Sequence, residues 1–143
     1  MPSETIQVAC PACLTANRVP AERVSEDPKC GRCGAPLLPG APIELAEAAF
    51  DDFVRRSELP VIADFWAPWC GPCRAMAPQF EKAAQELKGR ARLVKVNTEE
   101  APGLAARMNI RAIPTIALFR NGAEMKRVSG ALDAGSLVRW AQS

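Results

Sequence analysis

Phe65-Trp66-Ala67-Pro68-Trp69-Cys70-Gly71-Pro72-Cys73-Arg74 joins two segments of different period. Before it, Val61 to Trp66 is a mostly apolar run of strand length entered through Pro60. After it, Met76, Phe80, Ala83, Ala84 and Leu87 recur at helical spacing up to a stop at Gly89. The stretch therefore spans the step from a buried strand into a long helix, with Cys70 at or near the helix N-terminus. Unpaired N–H groups and the helix dipole there favour a thiolate and lower its pKa below that of a free cysteine. Cys73 lies one turn further in and is expected to be less exposed. The pair suits two-step thiol–disulfide exchange: Cys70 attacks a substrate disulfide to give a mixed disulfide, and Cys73 then attacks Cys70 to release reduced substrate. Spacing on one turn makes the second step intramolecular and fast. A static disulfide or half of a metal site fits the same spacing, but neither needs the helix start or the flanking Trp66 and Trp69.

Outward from this junction the pattern alternates. Upstream, a short strand at about Ile43 to Leu45 precedes a helix carrying Ala46, Ala49, Phe50, Phe53 and Val54. Downstream come a strand from Arg92 to Val96 and a shorter helix from about Glu100 to Met108. An Ile113-Pro114 step then enters a strand from Thr115 to Phe119. Asn121-Gly122 turns the chain back into Glu124 to Val128, since both residues tolerate the positive φ of a tight hairpin. Asp133 caps a last helix bearing Leu137, Val138 and Ala141. The order βαβαβ followed by αββα predicts an α/β fold: a mixed sheet with helices on both faces. Asp64 interrupts the apolar strand, and a buried carboxylate there is costly without a partner or a task. The alternative is a salt-bridged structural acid. Lys95, on the neighbouring strand, can bias its charge, or is an ordinary solvent-facing lysine.

Composition narrows the chemistry. The 143 residues are 48% hydrophobic and 24% charged, as in a soluble globular protein. No apolar run approaches the ~18 residues of a membrane span. No basic, then apolar, leader opens the chain, so a cytoplasmic protein is expected. Histidine and tyrosine are absent, which excludes Ser-His-Asp and Cys-His catalysis and histidine metal ligation. Six cysteines remain, in three Cys-x-x-Cys pairs.

Seven of the 13 prolines fall in the first 42 residues, where no apolar period runs long enough to build a core. Pro36 to Pro42 reads as a short, stiff spacer. The expected division is a zinc-ribbon-like module over 1–38, a Pro-rich linker over 39–42 and an α/β domain over 43–143. Within the module, Cys10-x-x-Cys13 and Cys30-x-x-Cys33 are separated by 16 residues, which fits a four-cysteine zinc site. Disulfides, or a disordered tail with oxidisable thiols, are the alternatives. Four thiolates leave no open position, so one structural zinc per chain is expected. With the ion and its thiolates contributing a net −2, the formal charge of +2 falls near zero. Arg18, Arg23, Lys29 and Arg32 are balanced by Glu4, Glu22, Glu26 and Asp27, so a nucleic-acid-binding ribbon, the rival from another class, lacks a basic excess.

Trp66 to Cys73 resembles the active-site motif of thioredoxins. The likeness covers about residues 42–143, with further matches at Asp64, Pro78, Lys95, Ile113-Pro114-Thr115, Phe119, Asn121-Gly122 and Gly130-Ala131. With the front module, the whole chain is similar to bacterial thioredoxin 2, the zinc-containing kind. The resemblance implies a thioredoxin fold, with a mixed five-stranded sheet and four flanking helices, preceded by a small four-cysteine zinc ribbon. It implies a protein-disulfide reductase with a redox-active Cys70–Cys73 disulfide, acting on disulfide-containing proteins and regenerated by an NADPH-dependent thioredoxin reductase. A monomer is expected. It further implies that Asp64, through a water, takes the proton of Cys73, and that Pro114 is cis, freeing the Ile113 backbone to face an extended substrate chain. Trp69, Gly71, Pro72, Gly130 and Ala131 would line that groove. Pro68, Arg74 and Ala112 depart from the commonest pattern and border the docking surface. Strongly oxidising members of the superfamily carry a histidine between the active cysteines; Gly71-Pro72 supplies no such charge, so a reductant is expected rather than an oxidase or isomerase. For the ribbon, partner docking and oxidant sensing both remain open.

Overall fold

The computed structural model describes residues 4–143. From residue 43 onward the chain forms β3 (Ile43–Glu44), α1 (Glu47–Arg55), β4 (Val61–Trp66), α2 (Gly71–Glu86), β5 (Arg92–Asn97), α3 (Pro102–Arg107), β6 (Thr115–Arg120), β7 (Ala123–Ser129) and α4 (Ala134–Gln142), after a two-stranded β1 (Thr5–Ala9) and β2 (Ala16–Pro20). The five-stranded sheet has the order β3-β5-β4-β6-β7. Its first three strands are parallel and the last two antiparallel. β4 is central and covered on both faces, which is why its sequence runs apolar instead of alternating. Phe50, Phe53 and Val54 of α1 and Leu104 of α3 pack with Ala63, Phe65, Val94 and Phe119 on one face. Met76, Phe80 and Ala83 of α2 and Leu137 of α4 pack with Ile62, Leu93, Ile116 and Leu118 on the other.

Local signals fix the boundaries. Pro102 takes the first position of α3, so that helix starts two residues later than its apolar spacing suggests. Asn121 (φ 51°) and Gly122 (φ 86°) make the β6–β7 turn. Asp133 caps α4 by accepting the Ser136 N–H at 2.8 Å. Among the described residues no helix is long and apolar enough to cross a membrane.

The front segment holds more structure than its sequence predicts. β1 and β2 pair antiparallel from Thr5↔Pro20 to Ala9↔Ala16, and Val8, Val19, Leu37 and Leu38 form a small apolar cluster with Cys10 and Cys30. The absence of a core in this segment is thus corrected. Leu37 and Leu38, read as part of a spacer, are buried. The ribbon packs on the pole of the sheet where β4 and β5 begin. Arg92, 2% exposed, donates to the Leu37 carbonyl at 2.7 Å and to Ser57 Oγ at 3.4 Å, with its guanidinium 4.6 Å from the Phe53 ring centroid. Glu58 exchanges two hydrogen bonds with the Gln7 backbone. Arg56 donates to the Leu14 carbonyl at 2.9 Å, and the Leu14 side chain packs against the main core.

Burial lowers the Arg92 pKa to about 10, with the neighbouring Cys10 opposing the shift, so the group stays charged at neutral pH. Its charge is retained by the carbonyl and hydroxyl it bonds. Arg92→Leu should therefore lower stability by about 1–3 kcal/mol, because it leaves the Leu37 carbonyl buried without its donor. Urea unfolding measures this, and an unchanged midpoint would mean that the ribbon is not latched at this point.

A candidate dithiol site and a four-cysteine metal centre

Cys70 is the N-cap of α2, with extended backbone (φ −81°, ψ 112°) and its Sγ accepting the Cys73 N–H at 3.2 Å. A sulfur thus satisfies one of the orphan donors that Ser or Asp usually satisfies. Cys70 and Cys73 form a disulfide with Cα atoms 5.2 Å apart. In this oxidised form the two residues are 4% and 3% exposed, so the predicted difference in exposure between them is not seen. Ala67, Trp66 and Ile113 pack around the pair.

The predicted groove residues meet at this disulfide. The Ile113-Pro114 bond is cis, and the Ile113 carbonyl oxygen lies 3.8 Å from Cys70 Sγ. Gly130 donates its N–H to the Pro114 carbonyl at 2.9 Å, which brings Gly130 and Ala131 alongside. Gly130 has φ 101°, and no atom lies within 4 Å of where a Cβ would stand on Gly71 or Gly130, so the surface there is flat and open. Trp69 is 65% exposed, with its indole N–H held by the Glu99 carboxylate. Glu99 escaped the sequence reading because thirty residues separate it from Trp69 and no motif marks it.

Asp64 lies on the face of β4 that α2 covers, two residues beyond Ile62 and toward the first turn of the helix. It is 1% exposed, and neither carboxylate oxygen has a hydrogen-bond partner. The Trp66 indole N–H is likewise buried and unpartnered. Lys95 is directly opposite Asp64 in the β4–β5 register, with Nζ 4.4 Å from the Trp66 ring centroid. Desolvation pushes the Asp64 pKa up to about 7, and the Lys95 charge pulls against it. A salt-bridged structural acid is not what the structure holds.

At the other pole, Cys10 Sγ lies 3.5 Å from Cys33 Sγ and Cys13 Sγ 3.7 Å from Cys30 Sγ, with all four sulfurs within 4.8 Å of one another. None is in a disulfide. A tetrahedral zinc with bonds of ~2.3 Å needs sulfur–sulfur edges of ~3.8 Å, so this donor set fits the ion. The two knuckles repeat each other. The Leu14 N–H bonds to the Cys10 carbonyl as the Gly34 N–H bonds to that of Cys30, both at 2.9 Å, with φ of 65° and 79°. N–H groups of Ala12 and Cys13 point at Cys10 Sγ, and that of Arg32 at Cys30 Sγ. Without an ion the thiols shift in opposite directions: the Cys33 N–H and the Asn17 amide lower the Cys30 pKa to about 6, while at Cys33 the Ala35 N–H is outweighed by the Cys10 sulfur and burial, which push it up to about 11.

A family model described as thioredoxin matches residues 41–143, and one described as thioredoxin 2, N-terminal, matches residues 9–35. The chain belongs to the thioredoxin family. It is 44% identical to thioredoxin C-3 of Corynebacterium nephridii over 133 residues, 93% of this chain and 91% of that protein. It is also 44% identical to a thioredoxin of Synechocystis over 95 residues, 66% of this chain and 89% of the relative. Among solved structures, a mutant thioredoxin from Halobacterium salinarum NRC-1 superposes with a TM-score of 0.67 at 30% identity, covering 73% of this chain and 90% of that one. As a thioredoxin, the chain is a thiol–disulfide oxidoreductase that reduces protein disulfides through its Cys70/Cys73 pair.

A sign follows for Asp64. Its folded-state pKa of about 7 lies above the ordinary 3.8, so the folded chain keeps the proton longer than the unfolded one. Stability should fall as pH rises from about 4 to about 7 and level off above, by on the order of 4 kcal/mol. Asp64→Asn should therefore match the parent near pH 4 and exceed it at pH 8.5 in denaturant unfolding of the oxidised forms. A difference that does not change with pH would place the ionisation on another group.

Proposed function

We propose that Cys70 is the attacking thiolate and Cys73 the resolving thiol. The capping geometry carries this reading: Cys70 Sγ sits on the positive end of α2 and accepts the Cys73 N–H, so negative charge is favoured on Cys70. The Cys70 thiolate bonds to one substrate sulfur, and the other leaves as a thiolate that takes up a proton. Cys73 then loses its proton to the Asp64 carboxylate and attacks Cys70 Sγ, expelling the second substrate sulfur. Two electrons pass from the dithiol to the substrate disulfide. A carboxyl with a pKa near 7 is populated in both forms at neutral pH, as a proton acceptor that must also release requires. Lys95 holds the carboxylate form in reach. The exposed Trp69, Gly71, Pro72, Gly130 and Ala131, with the half-buried Ile113, offer an extended chain a surface with few side-chain demands.

The same reading makes the pair a reductant of disulfide-containing proteins, recharged by an NADPH-dependent thioredoxin reductase in the cytoplasm, and the chain a monomer. Cys10, Cys13, Cys30 and Cys33 would hold one zinc ion, which supplies a structural cross-link to the ribbon over residues 1–38 and takes no part in the exchange. Residues 39–42 join it to the catalytic domain over 43–143.

Cys70→Ser should abolish insulin-disulfide reduction, whereas Cys73→Ser should attack and stall as a mixed disulfide. Mass spectrometry that found trapped substrate on Cys73 of the Cys70→Ser protein, and none on Cys70 of the other, would reverse the two roles. Metal analysis should give one zinc per chain. Its removal by a chelator should speed hydrogen exchange at Val8 and Val19 far more than it slows insulin reduction, and the opposite ranking would place the ribbon inside the active site.

A further inference from the structure

We propose that the open edge of β2 is a docking site for an extended acidic peptide, which adds to the ribbon as a third strand. Backbone parity shows that the edge is available. Both the N–H and the C=O of Gln7 are used by Glu58, on the outer side of β1. Opposed residues of an antiparallel pair share one bonding class, so Arg18, directly opposite Gln7, also turns its N–H and C=O away from its partner strand. Among the described residues no hydrogen bond satisfies either group. They face a cleft of about 320 Å³ between β2 and the Pro28–Lys29 segment, floored by the buried Val19 and Leu37.

Charge selects the occupant. Arg18, Arg23 and Lys29 line the cleft against a single acid, Glu26. All three cations are exposed, and among the described residues none is in an ion pair. Asp27, next in sequence to Glu26, pairs with Lys88 at 2.6 Å and also feels the Lys29 charge. The lining of this cleft is thus three cations to one acid, although the segment as a whole carries four of each. An unpaired backbone donor and acceptor flanked by cations fits a strand whose alternate side chains are carboxylates. Single-stranded nucleic acid fits less well, since no aromatic side chain lines the cleft to stack a base. The site is at the pole opposite Cys70/Cys73 and is independent of the roles assigned there.

The test titrates the isotope-labelled, zinc-loaded full chain with acetyl-Glu-Val-Glu-Val-Glu-amide at low salt, read by backbone amide shifts. Shifts are expected at residues 16–19 and at Lys29, with slowed exchange of the Arg18 N–H. Arg18→Glu combined with Lys29→Glu should weaken binding by about tenfold or more, at unchanged zinc content and insulin reduction. N-methylation of the two peptide valines should weaken it comparably with the protein untouched, because it removes strand donors while keeping the charge. The proposal is overturned if the lysine analogue binds equally, if methylation has no effect, if the shifts gather at Trp69, or if oligothymidylate displaces the peptide from residues 16–20.

Discussion

At the start of α2 a sulfur stands where a hydroxyl or carboxylate ordinarily would, and the rest of the site is arranged around that substitution. A helix must satisfy its first N–H groups, and Cys70 does so by accepting from Cys73. The two sulfurs are thereby held on one turn, with the Cα atoms 5.2 Å apart, a separation within the range that a disulfide bridges. The helix can begin there because β4, central in the sheet and covered on both faces, delivers the chain to its N-terminus. Reactivity and fold thus share one local requirement. The residue that caps the helix is the one whose charge the helix favours.

The ribbon solves a different problem at the other end of β4. Val61 and Trp66 are five residue steps apart, about 16 Å at ~3.3 Å per step, so the Arg92 latch and the dithiol are at opposite poles of the sheet. A segment of some forty residues buries little apolar surface by itself, and here two knuckles with four convergent sulfurs supplement it. Leu14 shows how closely the two parts fit. It adopts the positive φ that the second knuckle assigns to Gly34, while its side chain packs into the main core and its carbonyl takes the Arg56 guanidinium. A glycine would relieve the backbone and forfeit that contact.

Those contrasts explain what could be read from sequence. The β4–α2 junction, the knuckle spacing and the β6–β7 turn were legible because each is a local pattern: a change of period, a fixed cysteine interval, Asn121-Gly122. The β1–β2 hairpin was not, since its strands offer only Ile6, Val8 and Val19 as large apolar markers and its apolar cluster is completed by Leu37, Leu38 and Leu59 from elsewhere. Arg92 reads as a polar strand end, and only the arrival of Leu37 and Ser57 makes it a buried node. Composition misled on charge in the same way. Equal numbers of cations and anions say nothing about which of them face the same cleft.

Asp64 draws the most from the surrounding packing. An ionised carboxylate held without a hydrogen-bond partner between two apolar layers costs on the order of 4 kcal/mol, against the roughly 5–15 kcal/mol that a domain of this size has in total. Lys95 offsets part of that from the adjacent strand, but the Trp66 ring lies over its ammonium group, and no direct ion pair forms with Asp64. A closer pair would lower the carboxyl pKa and fix it as a permanent anion, unable to hand back a proton near neutrality. A more remote lysine would leave it a permanent acid, unable to accept one. The intermediate arrangement keeps both forms accessible at one pH. It can be tolerated because Phe80, Ile62, Ile116 and Phe65 complete the layers on either side of the strand that carries it.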